Sequence, residues 1–163
     1  HMPSHIFTRV GRYADVVSSN QRAVAADEEY IAQCRAQGMY PLGYYPHNIH
    51  FVWLGATMLG QGRLAVEAAR KAASSVAAAT PEQLPFVQGF LVVPYWAMVR
   101  FGQWDAILAD KGPQHATAFT TGVWHYARAA AFIAKLEGSY SGVMGLPLNE
   151  LDDILRKIGA GGG

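Results

Sequence analysis

A chain of 163 residues is long enough for one domain with its own core, and a hydrophobic share of 51%, much of it alanine, suits helices that approach closely through small side chains. Thirteen basic residues against twelve acidic ones leave a formal charge of +1 with no local run of like charge, which sets aside a general nucleic-acid binder. Cys34, the single cysteine, excludes an internal disulfide and any multi-cysteine zinc or iron–sulfur centre within one chain, and is expected to be a small packing residue of a helix.

From the amino end, His1-Met2-Pro3-Ser4-His5 lacks the basic start and apolar stretch of a signal peptide. Gly11-Arg12-Tyr13 then interrupts one apolar segment and opens another, in which Val16, Asn20, Ala23 and Val24 recur at helical spacing. Gly60-Gln61-Gly62 repeats the punctuation more weakly, with Gly62-Arg63-Leu64 as a competing register, and Ala65, Ala68, Ala69 and Ala72 follow it. Gly102-Gln103-Trp104 and Gly138-Ser139-Tyr140 complete the series. Each block predicts a helix, a glycine turn and a second helix, the glycine supplying backbone angles that other residues avoid and the ring two places on wedging between the pair.

The glycines at 11, 60, 102 and 138 are 49, 42 and 36 residues apart, so the array is irregular. Loop insertions are expected near 38–47, 80–88 and 111–116, where Pro41, Pro46, Pro81, Pro85 and Pro113 oppose continuous helix. The apolar region 86–99 is broken by Gln88, Gly89 and Pro94, and no stretch approaches the roughly 18 apolar residues of a membrane span. A soluble chain is expected, with the cytoplasm favoured. After 1–140, residues 141–159 predict a terminal helix that caps the array or docks a partner or second copy. Asn149 is its N-cap, Gly159 its stop, and Leu148, Leu151, Leu155 and Ile158 its apolar face. A flexible glycine tail closes the chain at 160–163.

Gly-x-aromatic followed by alanines, clearest in Arg9-Val10-Gly11-Arg12-Tyr13-Ala14-Asp15-Val16 with Ala23-Val24-Ala25-Ala26-Asp27, resembles the tetratricopeptide repeat. The stretches His1-Met2-Pro3-Ser4-His5-Ile6-Phe7, Tyr44-Tyr45-Pro46-His47-Asn48-Ile49-His50-Phe51 and Trp124-His125-Tyr126-Ala127-Arg128 are similar to a histidine-rich bacterial subgroup of that family, whose longer members they match in their carboxyl-terminal part. The resemblance implies an all-α fold, a solenoid of about four antiparallel helical hairpins plus a terminal helix, and a binding scaffold whose concave groove takes a peptide, small ligand or partner protein.

Aligned on their turn glycines, His47 and His125 stand 13 residues before, His1 and His50 stand 10 before, and His5 stands 6 before. These offsets differ by three and four, so five of the six histidines fall on one helix face. In tetratricopeptide arrays that face lines the groove. Its expected lining is therefore His5, His50, Leu54, Trp96, His125, Arg128 and Phe132, with Arg128 and His50 placed to read an anionic group. His1 with His5 and His47 with His50 have spacings that let paired imidazoles reach one ion, which points alternatively to zinc, copper or nickel on His1, His5, His47 and His50. A third reading has these histidines bonding loops and helix ends, with Asn48, Tyr44 and Tyr45, to hold the insertions. A hydrolase is the remaining alternative: Ser4 adjoins His5, but neighbours on a helix do not face each other, and no nucleophile elbow or phosphate-binding glycine loop is present. Binding is favoured over turnover, and no catalytic residue is assigned.

Overall fold

The computed structural model describes residues 1–35, 38–82 and 84–135. Among them every regular element is helical: α1 (Ser4–Arg9), α2 (Tyr13–Cys34), α3 (Tyr45–Met58), α4 (Gly62–Ser75), α5 (Gln88–Leu91), α6 (Val93–Arg100), α7 (Trp104–Ala109) and α8 (Ala118–Ala134), with a π-helical turn over Tyr40–Tyr44 and a 3-10 turn over Pro85–Val87. No helix among the described residues is long and apolar enough to cross a membrane. The chain divides into two compact units, His1–Ala131 and Phe132–Gly163. The Gly138 turn, the expected terminal helix and the glycine tail lie outside the described residues.

Three turns share one construction. Gly11, Gly60 and Gly102 have φ of +76°, +72° and +64°, and in each the next residue's N–H reaches back five places: Arg12 to Phe7, Gln61 to Ala56 and Gln103 to Met98, all at 2.9 Å. This is the Schellman closure, which satisfies carbonyls that the end of a helix leaves orphaned and needs a left-handed residue that glycine supplies without strain. The following helix begins two residues after each glycine, at Tyr13, Gly62 and Trp104. Gly60, not Gly62, is therefore the turn glycine of the second block.

Consecutive helices then pack: α1 on α2, α2 on α3, α3 on α4, α4 on α6 and α6 on α7. Val17, Val24, Ile49, Val52, Ala56, Ala65, Ala68 and Ala72 fill the space among α2, α3 and α4, with Trp53 against them. Each large apolar side chain buried this way contributes about 1.5–3 kcal/mol relative to exposure. The approach of α3 to α2 is set at Gly55, where a Cβ would lie 2.8 Å from Val17 Cγ2 and 3.1 Å from the Tyr13 carbonyl oxygen. A second cluster joins Val92, Tyr95, Met98, Ile107, Val123 and Ala127, with Trp104 and Trp124 against it.

The long connection after α2 is held by two adjacent acids of that helix. Asp27, buried, accepts from Tyr40 Oη and Asn48 Nδ2, both at 2.8 Å, and Glu28 accepts from Tyr45 Oη at 2.8 Å and pairs with Lys71 at 2.6 Å. Burial and the Glu28 bond push the Tyr45 phenol well above its ordinary pKa. Among the described residues the bonds that hold this connection come from tyrosine, asparagine and lysine, and His115 ties the loop before α8 to the segment after α4, its Nε2–H donating to the Ala77 carbonyl at 3.1 Å. Cys34 also departs from expectation: as the last residue of α2 it is exposed.

Candidate metal centre

The residues just before α1, α1 itself and α3 bring His1, His5 and His47 together, each offering a ring nitrogen within 4.8 Å of the others. His1 and His5 are joined nitrogen to nitrogen at 2.9 Å, and their ring centroids are 4.8 Å apart. His47 stands 4.7 Å from His1 and 5.8 Å from His5. Phe51, one turn after His47 and buried, lies under all three, its ring 4.8, 4.7 and 5.0 Å from those of His1, His5 and His47. The imidazoles thus share an apolar floor that restricts water on one side.

Protonation follows from the partners. Asn20 on α2 is fully buried, and its Nδ2 donates to the Val16 carbonyl at 2.7 Å and to Ser4 Oγ at 2.8 Å. A carbonyl oxygen only accepts, so the amide has one orientation, with Oδ1 toward His1 Nδ1 at 2.7 Å. His1 therefore carries its proton on Nδ1, its Nε2 accepts, and His5 donates Nε2–H across the 2.9 Å contact. Burial, with the neighbouring His5, lowers the pKa of His47, which favours the neutral form that binds metals.

A tetrahedral ion with bonds of about 2.0–2.1 Å holds its nitrogens about 3.3 Å apart. The observed separations, from 2.9 Å to at most 4.8 Å, bracket that value. The ion would take the place of the bridging proton, which His5, being exposed, can carry on Nδ1 toward solvent. With three protein nitrogens as ligands, a tetrahedral ion would keep a fourth position for water or substrate, as catalytic zinc sites do.

The structure separates the remaining expected site residues from this cluster. His50, three places after His47, is turned about 60° around the helix from it. It lies tilted against Trp53 at 4.7 Å and meets Phe90 at 6.0 Å. Burial and the neighbouring His47 lower its pKa to about 4. Its assignment as a ligand beside His47 is corrected on that ground. His125 is exposed beside Trp124 at 4.7 Å. Arg128 lies over Trp124 at 5.0 Å and donates from Nη1 to the Leu108 carbonyl at 3.0 Å, where it braces α8 to α7. Trp96 pairs with Tyr126 at 5.4 Å, Leu54 is half-buried, and Phe132 is exposed and belongs to the second unit. Asn20 and Phe51 are the residues that sequence reasoning missed. A polar side chain in the apolar register of Val16 and Val24 was the available signal for the first.

No family model and no solved structure matches the chain. Over 30 residues it is 70% identical to a dTTP/UTP pyrophosphatase of Hydrogenovibrio crunogenus, which covers 18% of this chain and 16% of that enzyme. Over 50 residues it is 44% identical to the dTTP/UTP pyrophosphatase of Bordetella avium, 31% of this chain and 24% of the relative. Over 32 residues it is 62% identical to that of Pelotomaculum thermopropionicum, 20% and 17%. The chain thus spans about a sixth to a quarter of the length of these curated relatives. These matches overturn the tetratricopeptide binding scaffold as the main functional reading: the similar proteins are named as nucleotide pyrophosphatases, which are hydrolases. The sequence reading erred by passing from a repeat pattern to a binding role, whereas a helical frame hosts many unrelated activities.

Proposed function

We propose that the chain serves a metal-dependent hydrolase acting on a phosphoanhydride bond of a nucleoside triphosphate, with His1, His5 and His47 as the metal ligands. The observation that carries the metal centre is the convergence of three ring nitrogens within 4.8 Å, one of them fixed as an acceptor by a buried amide. The substrate class is supported by the names of the relatives, dTTP/UTP pyrophosphatases, that share short segments with the chain. The frame of the site is a tetratricopeptide-like solenoid, a reading supported by three Schellman turns in one register and by sequential packing of the helices.

Imidazole ligands suit zinc, copper and nickel, and zinc serves hydrolysis without redox chemistry. Held by His1, His5 and His47, such a metal would supply a water of lowered pKa as the nucleophile for hydrolysis of the α–β phosphoanhydride bond, with pyrophosphate as the leaving group. The test is pyrophosphate release from dTTP and UTP by the chain loaded with zinc or cobalt. Turnover that disappears in His5→Ala and His47→Ala is expected. Absence of release with either metal, or release unaffected by both substitutions, overturns the proposal.

A further inference from the structure

Three imidazoles at close range do not by themselves make a metal centre, because a neutral histidine presents a lone pair on only one of its two nitrogens. All three rings are exposed or half-buried and would otherwise interchange tautomers freely. The device that removes this freedom is on α2, outside the cluster. Asn20 has no exposed surface, and the hydrogen bonds of its amide are oriented: Nδ2 toward Val16 O and Ser4 Oγ, Oδ1 toward His1 Nδ1. Ser4, itself buried, is further tied to Ser19 Oγ at 2.7 Å, and Ser19 donates to the Asp15 carbonyl at 2.6 Å. The amide is therefore held by the backbone of α2 and by the first turn of α1, and cannot rotate to offer His1 a donor without leaving a buried N–H unpaired. That loss costs about 1–3 kcal/mol.

We infer that Asn20 is a positioning residue of the metal centre: its Oδ1 holds His1 in the Nδ1–H tautomer, so that the Nε2 lone pair faces His5 and His47. This inference rests on the metal-centre reading above and deepens it. Second-sphere acceptors of this kind fix the tautomer and orientation of ligating histidines and raise their basicity, and their loss lowers metal affinity by about 10–100-fold. A polar residue in an apolar stripe normally weakens a core, so a fully buried asparagine whose carbonyl serves a half-buried imidazole is explained by that service.

Two readouts that involve no hydrolysis test it. In the metal-free chain, nitrogen-15 NMR of the histidine rings should show His1 as the Nδ1–H tautomer, and Asn20→Leu should return it to a tautomer mixture. In titrations with cobalt, Asn20→Leu should weaken binding about 10–100-fold while leaving helical content unchanged. Ser4→Ala removes one partner of the amide but leaves Oδ1 on His1, so it should cost stability yet keep affinity within about threefold; it separates positioning from folding if Asn20→Leu unfolds the chain. Equal cobalt affinity in the parent and a folded Asn20→Leu overturns the role of Asn20 and leaves the metal centre standing. An Nε2–H tautomer at His1 in the parent overturns it as well. Failure of the parent chain to bind cobalt at all overturns the metal centre, and this inference with it.

Discussion

The histidines of α1 and α3 and the polar side chains of α8 occupy corresponding distances from their turn glycines, yet only the first set converges on one point. In the α1–α3 region, two helices that both pack on α2 carry ligand-type side chains at matching register, and α2 supplies an amide that fixes one of them. In the α7–α8 region the same register carries His125 and Arg128, and Trp124 draws both rings and charge toward itself while the Leu108 carbonyl takes the guanidinium. Register sets the direction in which a side chain leaves its helix. A site needs, in addition, a second element with complementary groups and a partner that holds them.

That contrast can be broken most severely at Gly55. Gly55→Val places a branched side chain where even a Cβ meets Val17 at 2.8 Å, so α3 must move from α2. A loss of about 2–4 kcal/mol in denaturant unfolding is expected, together with loss of metal binding. An unchanged midpoint would show that α3 is not pinned there.

A cleaner comparison uses three histidines with the same assay. His5→Ala and His47→Ala should each reduce cobalt or zinc affinity by about 100-fold or more in calorimetric titration, whereas His125→Ala should leave it within twofold. Comparable losses at all three positions would join the two regions into one site.

Protonation of His50 gives the next effect. The half-buried ring stays neutral in the fold down to a pH of about 4, whereas an unfolded histidine takes its proton near 6.5. Between these values the unfolded chain binds more protons, so stability falls as the pH is lowered through the window, by up to about 3 kcal/mol. The lowered pKa of His47 acts in the same direction. Thermal unfolding at pH 7 and pH 5 should show the loss, and His50→Leu should reduce it.

The smallest effect is expected at the Glu28–Lys71 pair. Although the ions are 2.6 Å apart and hold the Glu28 carboxyl below its ordinary pKa, both side chains are nearly half exposed, at 46% and 45%. Lys71→Ala should cost no more than about 0.5 kcal/mol, lessened further by salt. A larger loss would mean that the pair, rather than the buried Asp27 network beside it, carries the connection between α2 and α3.

Much of the helical frame was legible in the chain itself. Glycine can take φ near +70° without strain, so Gly11, Gly60 and Gly102 announced where helices end, and alanine spacing announced which faces pack. The helical period also put His1 in register with His5 of α1, and His47 on the matching face of α3. The tertiary structure alone decided that His47 rather than His50 meets the α1 pair, because three residues of helix leave two side chains 60° apart and Trp53 with Phe90 offered His50 an apolar seat. It alone brought Asn20 and Phe51 to the imidazoles, since these contacts join the amino-terminal segment to α2 and to α3 across distances that side-chain volume sets and no periodicity records.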